Sequence, residues 1–160
     1  DAGGVWVVPA FAGLGAPYWD PDARAAILGM TRGTSSAHIV RAGLDAIAFQ
    51  CADLIRALRT DAGLPVERLL VDGGAAANDY LMQRQADLAH ATVERSVELQ
   101  TTARGAAAIA AIGAGEFGDL ATARAMSSGR AVFKPSLSAA RRAAECSAWA
   151  TAVERVLTRP

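Results

Sequence analysis

An α/β fold containing a parallel element is predicted by three observations on this sequence. From Ser36 onward, helix-like and strand-like segments alternate as helix, strand, helix, strand, helix. A short apolar run, Leu69-Leu70-Val71, meets a Gly-Gly turn and then a helix start, which is how a buried strand hands over to a crossover helix. The composition is that of a folding chain: of 160 residues, 52% are hydrophobic and 20% charged, enough apolar side chains to offset the entropy of ordering.

The elements follow in order. Val5-Trp6-Val7-Val8 is a strand stopped by Pro9. Residues 11–33 are punctuated by Gly13, Gly15, Pro17, Pro21, Gly29 and Gly33, with Ala26-Ile27-Leu28 as a short strand inside them. Phe11, Tyr18 and Trp19 are expected to anchor this loop, since a flexible linker would lack such side chains. Ser35 or Ser36 caps a long helix whose apolar positions Val40, Leu44, Ile47, Cys51, Leu54, Ile55 and Leu58 recur every three or four residues. It ends near Ala62, where Gly63 can take the left-handed cap and Pro65 blocks continuation. After the strand at 69–71, a helix starts at Asn78 and runs to about His90. Thr92-Val93-Glu94-Arg95 is a further strand, and Thr102 opens a helix to about Ala114. In that helix Gly105, Ala106, Ala107, Ala110 and Ala111 share faces suited to close packing on a sheet. Residues 116–137 read as mixed and turn-rich, and a last helix runs from Ser138 to about Leu157.

Sixteen basic residues balance sixteen acidic ones, which argues against a nucleic-acid or anionic-membrane surface built on bulk charge. The longest apolar stretch, Ala106 to Ala114, is far below the roughly 20 residues that span a bilayer. Cys51 and Cys146 are distant and lack ligand spacing, so a reducing, cytoplasmic compartment is expected and no zinc site is predicted. The chain starts at Asp1 without an initiating methionine, which leads to the expectation that it continues upstream.

The segment with most chemical content is Val71-Asp72-Gly73-Gly74-Ala75-Ala76-Ala77-Asn78. Paired glycines let a backbone approach a flat or anionic ligand, and a helix N-terminus adds N–H donors. Asn78 could both cap the helix and hydrogen-bond an adenine or ribose. A strand, two glycines and a helix also serve as a plain tight turn, and that reading stands beside the ligand reading. Gly13 and Gly15 form a GxG pair, but the next glycine does not complete a dinucleotide fingerprint. Asp20 and Asp22 can be read as a carboxylate pair for metal or acid–base work, but Asp20, between Trp19 and Pro21, reads in preference as a turn former. His38 and His90 lack an acidic or thiol partner at ligand spacing and read as surface or packing residues. Arg32 and Arg41 could touch phosphate, though nothing in the sequence singles them out among fifteen arginines.

Taken together, the stretch from Val8 through GLGAPYWDP to Gln50, the string VDGGAAAND from Val71, and TTARGAAAIAAIGAG from Thr101 resemble the carboxy-terminal part of the glycerol kinases. These belong to the FGGY carbohydrate kinases, within the superfamily of sugar kinases, Hsp70 and actin. The resemblance runs from Val5 to about Ala114 and resumes at Phe133-Lys134-Pro135, Trp149 and Ala152-Val153. It implies an incomplete ribonuclease-H-like domain, with helices packed on a mixed sheet around strands near Val5, Leu70 and Val93. In this division residues 1–33 form the strand and Gly/Pro-rich loop, 34–115 the nucleotide-binding core, and 116–160 a variable segment and terminal helix.

The implied activity is transfer of the γ-phosphoryl group of Mg-ATP to glycerol, giving sn-glycerol 3-phosphate and ADP. By this resemblance Gly74 contacts the nucleotide through its backbone and Asn78 through its side chain, with Gly73 as a weaker match. No catalytic residue and no metal ligand is assigned to this chain. The base, the glycerol-binding residues and most of the Mg²⁺ contacts are expected in an amino-terminal remainder, and the isolated chain is expected to be inactive. A homo-oligomer is compatible with the resemblance. Other readings are a kinase for another polyol or ketose, and a non-catalytic nucleotide-binding or interaction module. Ala25, Gln100 and Cys146 depart from the family pattern, none of them at the Gly-Gly turn.

Overall fold

The computed structural model describes residues 1–63, 65–125 and 129–158, excluding the side chains of 123–125. The elements are β1 (Trp6–Val8), β2 (Ala26–Leu28), α1 (Ser36–Ala62), β3 (Arg68–Val71), a 3-10 turn (Gly74–Ala77), α2 (Asp79–Ala89), β4 (Thr92–Ser96), α3 (Thr101–Gly113), α4 (Leu120–Ala125), β5 (Arg130–Phe133) and α5 (Ala139–Glu154). The short helix α4 and the strand β5 lie where the sequence reads only as turn-rich.

Capping chemistry sets the long helices. Ser35 Oγ accepts from the His38 backbone N–H at 3.4 Å while His38 Nδ1 accepts from the Ser35 N–H at 3.2 Å. His38 therefore closes a reciprocal cap. Gly63 ends α1 in the left-handed conformation at φ 63°, donating to Arg59 O. Asn78 caps α2, its Oδ1 accepting from Leu81 N–H at 3.1 Å, and His90 takes the left-handed position that ends it. Both histidines thus serve helix ends.

Strands β3 and β4 are parallel, and β5 joins β4 antiparallel, giving a three-stranded mixed sheet in the order β3-β4-β5. β1 and β2 form a separate antiparallel pair. The strand near Val5 is accordingly not hydrogen-bonded to the strands near Leu70 and Val93, and the mixed sheet expected is the one formed by β3, β4 and β5. The two sheets share one core through α1, α2 and α5, in which Val8, Phe49, Leu81, Val93, Trp149 and Val153 are buried.

The buried face of α1 is Ala42, Ala46, Ala48, Phe49, Ala52, Asp53 and Ile55. Of the periodic large apolar residues only Ile55 lies on it. Small side chains let α2 approach α1 closely, and Phe49 fills the remaining space by stacking on Trp149 at 5.2 Å between centroids and 7° between planes. Helix α3 behaves differently from its expected packing on a sheet: none of its residues is buried.

Of the three side chains expected to anchor the Gly/Pro-rich loop, Tyr18 does so and Phe11 and Trp19 do not. Phe11 and Trp19 are exposed. Leu14 is buried, pairing with Asp20 through two backbone hydrogen bonds, and Tyr18 donates its hydroxyl to Asp53 Oδ2 at 2.5 Å. Burial pushes the Tyr18 phenol up, and the adjacent Asp53 carboxylate adds to the shift. Asp53 also accepts from Trp149 Nε1 at 2.7 Å and Arg56 at 2.6 Å, so one carboxylate joins the loop, α1 and α5.

Asp20 forms the expected turn, with Oδ1 accepting from the Asp22 and Ala23 N–H groups at 3.0 Å. It also accepts from the Thr158 N–H at 2.6 Å and its hydroxyl at 2.8 Å, fastening the far end of the chain to the loop. The Thr158 backbone bond is the main cause holding the Asp20 carboxyl below its ordinary value of 3.8. A depressed folded pKa stabilises the fold above the unfolded value, and that contribution is lost as pH falls through the folded one. Asp20→Asn is therefore expected to flatten the fall in Tm as pH drops below about 5 and on through the unfolded value near 4. An acid profile superimposable on that of the parent would contradict this role.

Candidate functional site

The Gly-Gly turn leaves the carboxyl end of β3, beside the carboxyl end of the parallel strand β4. In open α/β sheets this is the end at which ligands bind. Gly73 has φ 84° and ψ 172°, a conformation essentially restricted to glycine, and its N–H donates to Leu99 O at 3.0 Å. Gly74 differs in kind. Its φ is not in the left-handed region, and a Cβ built on it would meet nothing within 4 Å. Backbone geometry thus requires glycine at 73 and does not require it at 74.

Gly74 begins the 3-10 turn, and Asn78 links that turn to α2. The N-terminus of α2 is therefore set one short turn beyond the glycines, further than a direct strand–Gly–Gly–helix junction would put it. Asn78 is exposed. With Oδ1 committed to the cap, its Nδ2 amide remains as the group that can donate outward. Gly74 and Asn78 are exposed and Gly73 is half-buried, whereas Ala76 is buried in the core.

Arg95 on β4 supports this arrangement from below. Its Nη1 donates to Ala76 O at 2.9 Å and to Asp79 Oδ1 at 2.6 Å, and the guanidinium lies 5.3 Å from the Phe133 ring centroid. It thereby fixes the last part of the 3-10 turn to the first residue of α2. Sequence spacing gives no sign of this role, since Arg95 meets its partners 16 and 19 positions away. Beside the turn, Val71, Asp72, Ser96, Thr101 and Arg130 line an open cleft of about 660 Å³.

The other candidates lie elsewhere. Arg41 stacks over the Tyr80 ring at 3.5 Å and pairs with Asp45 at 3.6 Å. Asp45 also accepts from Arg84 at 2.9 Å and from the Tyr80 hydroxyl, and Arg84 bonds Glu145 at 2.7 Å. This network joins α1, α2 and α5. Arg32 is exposed in the loop before α1. Both cysteines are free thiols, and burial pushes each thiol up. Among the described residues, no three His, Cys, Asp or Glu side chains gather as a metal-ligand set, and no helix is long and apolar enough to cross a membrane.

Comparison with known proteins gives a consistent result. Residues 1–114 match the family model described as the FGGY family of carbohydrate kinases, C-terminal domain. A glycerol kinase of Dechloromonas aromatica is 53% identical over 98% of this chain, and one of Halorhodospira halophila is 54% identical over 97%. The chain spans about 31% and 30% of those two relatives. Among solved structures, Plasmodium falciparum glycerol kinase with ADP superimposes with a TM-score of 0.84 at 37% identity, covering all of this chain and 32% of that one. A gluconate kinase of Lactobacillus acidophilus has a TM-score of 0.69 at 23% identity, a likeness of fold alone.

Proposed function

The chain belongs to the FGGY family of carbohydrate kinases, in which it is carboxy-terminal domain sequence with the α/β, ribonuclease-H-like fold, and from that premise we propose that it forms the adenosine-binding side of a glycerol kinase. In the proposed reaction the γ-phosphoryl group of ATP passes to a terminal hydroxyl of glycerol. The bond from the β,γ-bridging oxygen to phosphorus breaks, a carbon-bound oxygen takes its place on phosphorus, and the hydroxyl proton leaves to a base. The products are sn-glycerol 3-phosphate and ADP.

The observation that carries this reading is Gly74. A plain turn accounts for Gly73 through its φ of 84° but leaves Gly74 unexplained, because a Cβ there would be free of contacts. A ligand lying against the backbone accounts for it. The adenosine is accordingly assigned to the face formed by Gly74 and Asn78, with the Asn78 Nδ2 amide donating to it. The named activity of the relatives, at about half identity over nearly the whole chain, supports glycerol as the acceptor.

ATP enters such a transfer as its magnesium complex, the ion screening charge on the phosphates. The resemblance to the family assigns the metal, base and glycerol contacts to the remainder of the kinase. Asp20 and Asp45 are committed to Thr158 and Arg84, so neither is recruited as the base.

The test uses the full-length protein in a coupled assay for ADP, with glycerol, xylulose and gluconate as acceptors. Glycerol-dependent ADP formation is expected. A clear preference for either sugar-derived acceptor would replace the substrate assignment, and no ADP with any acceptor would favour a non-catalytic module. Asn78 separates cap from contact. Asn78→Asp keeps a capping oxygen and removes the donor, whereas Asn78→Ala removes both. Both variants are expected to weaken ATP binding by roughly 5- to 10-fold, with little change in the KM for glycerol. Only Asn78→Ala should also lose about 1 kcal/mol of stability. Unchanged nucleotide affinity in Asn78→Asp would remove the assigned contact.

A further inference from the structure

Gly74 and Asn78 are exposed, so their value to a ligand depends on how firmly the turn that carries them is held. Within the 3-10 turn, Ala76 N–H donates to Gly73 O at 3.1 Å and Asn78 N–H to Ala75 O at 3.2 Å, and such short segments have poor hydrogen-bond geometry. The hold from outside comes from β4 and the residues after it. Leu99 O accepts from Gly73 N–H at 3.0 Å, and Arg95 Nη1 donates to Ala76 O at 2.9 Å. Gly74 lies between these two fixed points. The same Arg95 nitrogen reaches Asp79 Oδ1 at 2.6 Å, so it grips the chain on both sides of Asn78.

We propose that Arg95 is a positioning residue for the nucleotide, fixing Gly74 and Asn78 in the arrangement that receives adenosine while making no contact with it. The inference rests on the assignment of adenosine to that face. Three features favour it. Arg95 stands on the middle strand of the sheet, opposite Val71 of β3 on one side and Ala131 of β5 on the other, so its base is fixed to the strand that leads into the turn. The guanidinium is engaged from below: the side chain is 18% exposed and lies 5.3 Å from the Phe133 ring centroid. The third feature is that the stability of α2 does not account for the residue. A cation at the amino end of a helix works against the dipole, and the Asp79 carboxylate it meets is 74% exposed, where solvent screens the pair. What the position of Arg95 secures is the turn.

The test is calorimetric titration of the full-length protein with ADP, together with the KM for ATP and for glycerol. Arg95→Gln, neutral and shorter, is expected to weaken ADP binding and raise the KM for ATP roughly 5- to 10-fold, with the KM for glycerol within about twofold. Arg95→Lys keeps the charge without the reach of the guanidinium and should fall between. Asn78→Ser keeps a capping oxygen, adds no charge and removes the amide. On its own it should weaken ADP binding as Asn78→Asp does. Added to Arg95→Gln it should weaken binding by less than about a further twofold, because the amide is already displaced. Circular dichroism checks that each variant is folded, and if Arg95→Gln is not, the same comparison is read from Arg95→Lys. Parental ADP affinity in Arg95→Gln, beside a weakened Asn78→Ser, would overturn the inference and leave the adenosine assignment standing. So would effects that simply multiply, which would make Arg95 a direct contact, or a KM for glycerol that rises in step with that for ATP. Unchanged ADP affinity in Asn78→Ser would remove the adenosine assignment and this inference with it.

Discussion

Asp53→Ala is expected to lose about 3–5 kcal/mol of stability, a larger loss than any other substitution considered for this fold. The carboxylate is 3% exposed and accepts hydrogen bonds from Tyr18, Arg56 and Trp149, which reach it from the loop, α1 and α5. Removing it leaves the Trp149 indole N–H as a buried donor without its acceptor, in the middle of the Phe49–Trp149 stack. The cost is therefore that of stranding partners in a dry core, beyond three lost bonds. Arg56→Ala should cost under about 1 kcal/mol, because the guanidinium is 57% exposed and solvent screens the pair. Asp53→Asn should fall between, since it keeps an acceptor for one donor. Urea unfolding of the three variants, followed by tryptophan fluorescence, checks this ordering. A loss below about 1 kcal/mol in Asp53→Ala would mean that the loop and α5 are held independently of this carboxylate.

The second large effect distinguishes the two glycines of the turn. Gly73→Ala must force a side chain into φ 84° and ψ 172° and is expected to cost about 1–3 kcal/mol of stability. Gly74→Val should leave stability within about 1 kcal/mol of the parent, because the added Cβ meets open space. Its effect is expected in the ligand instead. A branched side chain on the face assigned to adenosine should weaken ATP binding roughly 5- to 150-fold, the equivalent of about 1–3 kcal/mol of steric conflict. Thermal unfolding and nucleotide titration on the same samples separate the two outcomes. A destabilised Gly74→Val with unaltered affinity would return both glycines to a purely structural role.

The parts of this fold legible in the sequence are those governed by local chemistry. Ser35, Gly63, Asn78 and Ser138 mark helix ends because a cap needs only an oxygen or a left-handed backbone within a few residues. The Gly-Gly turn is visible for the same reason. What distance along the chain conceals is which carboxylates are buried: Asp53 meets Tyr18 and Trp149 across 35 and 96 residues. Asp87 likewise accepts from Ser136 and Leu137 across 49 and 50.

Periodicity identifies α1 as a helix but does not tell its inner face from its outer one. In a chain so rich in alanine, Ala42, Ala46, Ala48 and Ala52 with Phe49 make the packed face, and the larger aliphatic side chains mark a second surface. The misassigned anchors, Phe11 and Trp19, follow from treating aromatic content as a sign of burial. In this loop Leu14 and the polar groups of Tyr18 and Asp20 do the anchoring.

Whether the turn at Gly73, Gly74 and Asn78 receives the adenosine of ATP is tested most directly by a crystal structure of the full-length protein with ADP and glycerol. The adenosine is expected to rest on the Gly74 backbone, within hydrogen-bonding distance of the Asn78 Nδ2 amide, with the α2 cap intact. Adenosine bound away from this turn, with Gly74 facing only solvent, would contradict the assignment.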